Sequence, residues 1–165
     1  MRRLLFALTA AVVAAGLMAQ PAAAAKPTRE DFTVTDTAVL TDVCAFPVTV
    51  DMTLTGTLTR LFDRNGDPTR IEVHIREHDV FTANDKTLVG LPYTFNNAVL
   101  YDRETGEITH VFASGVASRV PLPEGDVFLT AGRIDFTAHP GASFILQPDV
   151  GAQGNVDGFC AGLAP

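Results

Sequence analysis

Three polar residues stand where strand alternation places side chains in an interior: Glu77, Tyr93 and His110. Glu77 continues the row Ile71, Val73, Ile75, while Tyr93 lies between Leu91 and Phe95, and His110 between Ile108 and Phe112. A carboxyl or imidazole in apolar surroundings needs a hydrogen-bonding partner or changes its protonation, which is why barrel lumens collect such groups at their sites. All three are therefore ligand-binding candidates. The competing readings are a one-residue bulge that turns Glu77 outward and a hydrogen-bonded core histidine at 110.

Other constellations are weaker. Asp63-x-Asn65-x-Asp67 looks like the first half of a calcium loop, but an EF-hand pattern wants Gly at its sixth position and Glu at its twelfth, where this chain has Pro68 and His74. A hairpin turn accounts for the same residues without a metal. His74 and His78 share a strand face but stand ~13 Å apart, too far to share a zinc ion. Ser114, Ser118 and Ser143 are the only serines, and none sits in a G-x-S-x-G elbow. No phosphate-cradling glycine loop or dinucleotide fingerprint is present, so no cofactor is implied. Thr49, Thr53, Thr55, Thr57 and Thr59 form a hydroxyl row of the kind that could face ice or a polysaccharide, although exposed strand faces favour threonine anyway.

The elements that must position these residues are strands. From Phe46 to Phe62 the even positions are largely apolar and the odd ones mostly threonine, an alternation of period two. Seventeen residues would span roughly 55 Å, too long for a straight strand in a small domain, and Gly56 marks the bend. Asn65-Gly66 predicts a hairpin. Further strands are predicted over Arg70–Phe81, Leu88–Tyr101, Glu107–Val120 and Asp126–Thr137, with short ones at Phe32–Thr35 and Ala142–Gln147 and a helical turn near Asp157–Leu163. Successive strands joined by tight turns make an all-β antiparallel meander, which covers its edges by closing into a small up-and-down β-barrel or, alternatively, by folding into a β-sandwich. The long, bending strands favour the barrel.

Residues 1–25 read as a signal peptide: Arg2 and Arg3, an apolar run from Leu4 to Leu17, then Ala23-Ala24-Ala25 before Lys26. Residues 26–165 then form a single secreted, extracellular β domain. Without Arg2 and Arg3 it holds ten of the twelve basic residues and all nineteen acidic ones, a net charge of about −9 against −7 for the whole chain. That balance argues against nucleic acid and against docking on anionic lipid. No stretch after the leader reaches the ~18 apolar residues of a membrane span. In an exported chain, the two cysteines, Cys44 and Cys160, point to a disulfide; a redox pair would more often be C-x-x-C.

Phe62-Asp63-Arg64-Asn65-Gly66-Asp67-Pro68-Thr69-Arg70, Phe81-Thr82-Ala83-Asn84, Asp102-Arg103-Glu104-Thr105-Gly106, Ala131-Gly132-Arg133-Ile134-Asp135-Phe136 and the closing Phe159-Cys160-Ala161-Gly162-Leu163 resemble a group of small secreted β-proteins of actinobacteria. That group shares the leader, the early Cys and the C-terminal Phe-Cys-Ala segment, so the similarity covers most of the secreted part. Ten Arg against two Lys fits a high-GC source. The resemblance implies export and fold; it brings no established activity and no catalytic residues.

The expected role is non-catalytic, either binding or cell-envelope association, with a small apolar molecule as the natural guest of an open lumen. Two alternatives stand beside it. One is a lumen-based isomerase or cyclase of the allene oxide cyclase or dirigent-like barrel type, using Glu77, Tyr93 or His110, by fold analogy alone. The other is an effector or inhibitor that binds an extracellular protein through a loop such as Thr82–Thr87.

Overall fold

A computed structural model describes residues 25–140 and 149–165. The expected signal peptide, up to Ala24, and the expected strand Ala142–Gln147 lie outside the described residues. The chain forms β1 (Thr28–Leu40), β2 (Val48–Phe62), β3 (Pro68–Ala83), β4 (Lys86–Val89), β5 (Tyr93–Tyr101), β6 (Ile108–Pro121), β7 (Val127–Asp135), β8 (Val150–Ala152) and one helix, α1 (Val156–Leu163). No helix among the described residues is long and apolar enough to cross a membrane.

All pairings are antiparallel, and the strands follow the order β1-β2-β3-β5-β6-β7-β8 with β4 also on β3. The meander is thus as expected, but the sheet is not closed: among the described residues β1 pairs only with β2, and β8 only with β7. The expectations of a closed barrel and of a sandwich are both corrected to a single open sheet. The edges are badly matched for closure, with thirteen residues in β1 and three in β8.

Three strand boundaries differ from the sequence reading for identifiable reasons. β1 is far longer than Phe32–Thr35 and pairs along its whole length with Val48–Arg60. Its Glu30, Asp31 and Asp36 hide the alternation, and charge of this kind keeps an exposed edge from recruiting other chains. The expected strand Leu88–Tyr101 is two pieces on the same side of β3. Gly90, Leu91 and Pro92 span the stretch where β3 has only His78 and Asp79, a bulge that suits a proline with no N–H to offer the ladder. In β6, the register against β7 shifts between Val116 and Ser118, which leaves Ala117 as an extra residue.

One cross-strand row organises the curl. Phe32, Gly56, Ile75, Phe95, Gly115, Gly132 and Gly151 are successive partners from β1 to β8. At Gly56 a Cβ would collide with the His74 carbonyl and stand 2.8 Å from the Phe32 ring. Gly115 has φ +130°, and a Cβ there would lie 2.8 Å from Phe95 Cα. Phenylalanines laid over glycines let neighbouring strands approach and the sheet bend.

The interior face gathers two apolar clusters. The larger contains Val48, Val50, Phe81, Leu88, Val120, Leu122 and Phe128, closed by Phe159 and Leu163 of α1. The smaller centres on Ala113, Ala117 and Ile134, with Phe95 and Phe136 against it. Asn155 caps α1 by accepting from Gly158 N at 2.9 Å. Phe159 meets the Phe81 ring edge-on at 5.1 Å and the Phe128 ring at 4.9 Å. The expected disulfide is present: Cys44–Cys160 fastens the helix to the segment before β2 across a sequence separation of 116.

A tie that closes so long a loop restricts the unfolded chain strongly. Replacing both cysteines with serine is expected to lower the unfolding free energy by about 4 kcal/mol in urea denaturation. A loss below about 1 kcal/mol would show that α1 stays docked by packing alone.

Candidate functional site

The interior row of β3 runs Ile71, Val73, Ile75 and then turns acidic at Glu77 and Asp79 before Phe81. Glu77 and Asp79 are only 6% and 1% exposed, so the bulge that would have turned Glu77 outward does not occur. Tyr93 is the cross-strand partner of Glu77, is itself 6% exposed, and stacks on Phe95 at 6.1 Å. Its hydroxyl donates to Asp79 Oδ2 at 2.7 Å. Glu77, Tyr93 and Asp79 therefore form one buried cluster between the two apolar cores.

Two carboxyl groups cannot both ionise cheaply in such a place. Burial pushes Glu77 up to about 8, helped by the charge of Asp79 and by the hydrogen bond between the two, and opposed by the bond to Tyr93. Burial also raises Asp79, against the hydrogen bonds of Tyr93 and Glu77 and the charge of His78. Tyr93 is pushed upward by burial and by both carboxyls, so it stays a neutral donor. At neutral pH Glu77 therefore keeps its proton. Asp79 Oδ1 and Ser118 Oγ are buried without a partner.

His110 does not join this cluster. Its side chain is 55% exposed, with Nδ1 3.4 Å from Asp135 Oδ2, and the expected interior position is corrected. The interior residue of that part of β6 is Ala113, so Phe112 and His110 both belong to the opposite face. Phe112 misleads the sequence reading because its ring is covered from the outside by the Arg133 guanidinium at 4.5 Å. Asp79 was missed, although it continues the same period-two row as Glu77.

The opposite face carries a groove of about 550 Å³. Its floor is two neighbouring cross-strand rows, Thr59–Glu72–Ala98–Phe112 and Thr57–His74–Asn96–Ser114. His74 Nδ1 and Asn96 Oδ1 are 2.8 Å apart, Thr57 donates to Asp31 Oδ1 at 2.7 Å, and Arg70 pairs with Glu72 at 2.9 Å. The buried donor Arg70 Nε, among the groove residues, has no partner; Asn97 Oδ1, also buried and unpartnered, belongs to the interior row with Val73 and Ala113. Sequence reading noted the threonine row and the polar face of β3 separately. Only the register brings them together with Asn96 and Ser114.

The remaining motifs are used structurally. Asp63 Oδ1 accepts from Asn65 N and Asp67 N at 2.7 and 3.0 Å, which stabilises the β2–β3 turn and holds the Asp63 carboxyl below its ordinary range. Within Thr82–Thr87, Asn84 and Asp85 adopt positive φ, as a tight hairpin turn requires. Asn84 Nδ2 donates to the Leu163 carbonyl at 2.9 Å, and Lys86 Nζ donates to that of Ala164, so this loop holds the end of α1. A smaller depression of about 400 Å³, lined by Leu122, Pro123, Gly158 and Gly162 among others, lies beside it.

Comparison with protein-family models, curated proteins and solved structures finds no match. The resemblance to the actinobacterial group therefore rests on the motifs quoted for it.

The buried acid pair has a measurable signature. In the unfolded chain Glu77 loses its proton near its ordinary 4.5, whereas in the folded protein it keeps it to about 8. This contribution to stability is complete below pH 4.5 and is lost as the pH rises towards 8. Wild type is expected to lose on the order of a few kcal/mol relative to Glu77→Gln between pH 5 and pH 8. Parallel stability profiles for the two proteins would contradict the retained proton.

Proposed function

We propose that this is a secreted, non-catalytic binding protein whose groove on the outward face of the sheet takes a carbohydrate. One observation carries the reading: the groove floor is built of side chains that donate and accept, and its buried donor Arg70 Nε lacks a partner. Leaving such a donor unmet costs about 1–3 kcal/mol, which a ligand able to donate and accept recovers. Sugar hydroxyls do both. The floor offers them hydroxyls at Thr57, Thr59 and Ser114, an amide at Asn96 and the imidazole of His74.

A hydroxyl-rich guest replaces the apolar one expected from sequence, because the ligand sits on an open face and needs no lumen. The acid pair does not compete for this role: Asp79 and Tyr93 are bonded to each other inside the sheet. Export is supported by the leader and by a disulfide of the kind that persists in oxidising compartments.

Soluble cello-, xylo- and galacto-hexaoses, titrated calorimetrically, provide the test. At least one is expected to bind, and Asn96→Ala is expected to weaken it roughly tenfold, the loss of one hydrogen bond from the groove floor. No binding at millimolar sugar, or an unchanged affinity in Asn96→Ala, would overturn the proposal.

A further inference from the structure

We infer that the groove continues into a second, cationic subsite, and that the carbohydrate it takes is acidic, with carboxylates along its chain. This rests on the carbohydrate reading above and narrows its ligand class.

On the same face Thr55, Arg76 and Thr94 form the next cross-strand row, and Val116 follows Ser114 two positions along β6, so each stands two positions along its strand from the row of Thr57, His74, Asn96 and Ser114. Two residues advance a strand by ~6.7 Å, so the three rows together extend ~13 Å, longer than one sugar ring. In this third row a depression of about 350 Å³ is lined by Arg76, Thr94 and Val116 together with Arg119, Pro92 and Tyr93.

The two arginines make it an anion site. Among the described residues, neither Arg76 nor Arg119 has an ion pair or a side-chain hydrogen bond, whereas Arg60 and Arg70 hold Glu30 and Glu72. The chain has nineteen carboxylates against twelve basic residues, so partners are abundant, yet two guanidiniums face one depression without any. They do not serve the buried acid pair either: neither is among the groups that shift Glu77 or Asp79. A guanidinium matches a carboxylate with two parallel N–H bonds, and Thr94 adds a hydroxyl. An acidic protein does not draw in polyanions by its overall field, so recognition must be local to these two side chains.

Calorimetry with a hexamer of galacturonate and the same hexamer reduced to neutral galactose units separates the two layers. Wild type is expected to prefer the uronate at least tenfold. Arg76→Gln/Arg119→Gln, at two exposed positions, is expected to bring the uronate down to the level of the neutral hexamer while leaving the neutral affinity unchanged. Equal affinity of wild type for both hexamers overturns the acidic ligand class but leaves the carbohydrate reading intact. So does a preference that survives in the double variant, or a double variant that loses both hexamers equally. Failure of wild type to bind either hexamer overturns this inference, and the carbohydrate reading falls with it only if the neutral panel above also fails.

Discussion

A sheet buries its apolar face only against something else, and among the described residues the one helix has eight residues. Everything distinctive follows from that shortage. The sheet must cover itself, so its strands are long and its centre is crossed by a row that combines two phenylalanines and an isoleucine with four glycines. Gly56 admits the His74 carbonyl and the Phe32 ring; Gly115 admits the β5 backbone at Phe95. What curvature cannot enclose, α1 closes, and the helix is held at its middle by the disulfide and at its C-terminal end by Asn84 and Lys86 on the carbonyls of Leu163 and Ala164. Phe159 then serves the sheet as a central core residue although it lies near the end of the chain.

This arrangement gives the two faces different chemistry. The interior holds two separate apolar clusters, and the acid pair occupies the space between them, kept neutral enough to stay buried by one proton and by the Tyr93 hydroxyl. The outward face is free of that demand. Its rows combine threonine, histidine, asparagine and serine from four strands, with arginines at the margin.

Much of the fold is legible in the sequence, and the failures have physical causes. Asn65-Gly66, the threonine alternation of β2 and the two cysteines each carry their meaning locally, and the hairpin, the strand and the disulfide follow from them. Glu77 is legible as interior because three apolar residues precede it at period two. β1 is illegible because an edge strand is protected by the same charges that erase its alternation. The parity of β6 is lost because Phe112 is half-buried under an arginine and not in the core, so hydrophobicity alone assigns it to the wrong face. Closure and the groove are harder still. Both depend on which residues of distant strands stand side by side, and a period read along one strand holds no information about its neighbour's register.

The proposed binding takes place on the outward face of the sheet. Backbone amide shifts in ¹⁵N-labelled protein, followed during titration with an acidic hexasaccharide, test it most directly. The expected result is a contiguous set of perturbed amides at Thr57, His74, Asn96 and Ser114, extending to Arg76 and Thr94, with α1 and the Leu122–Asp126 turn unmoved. Perturbations confined to α1 and that turn, or none at saturating sugar, would contradict it.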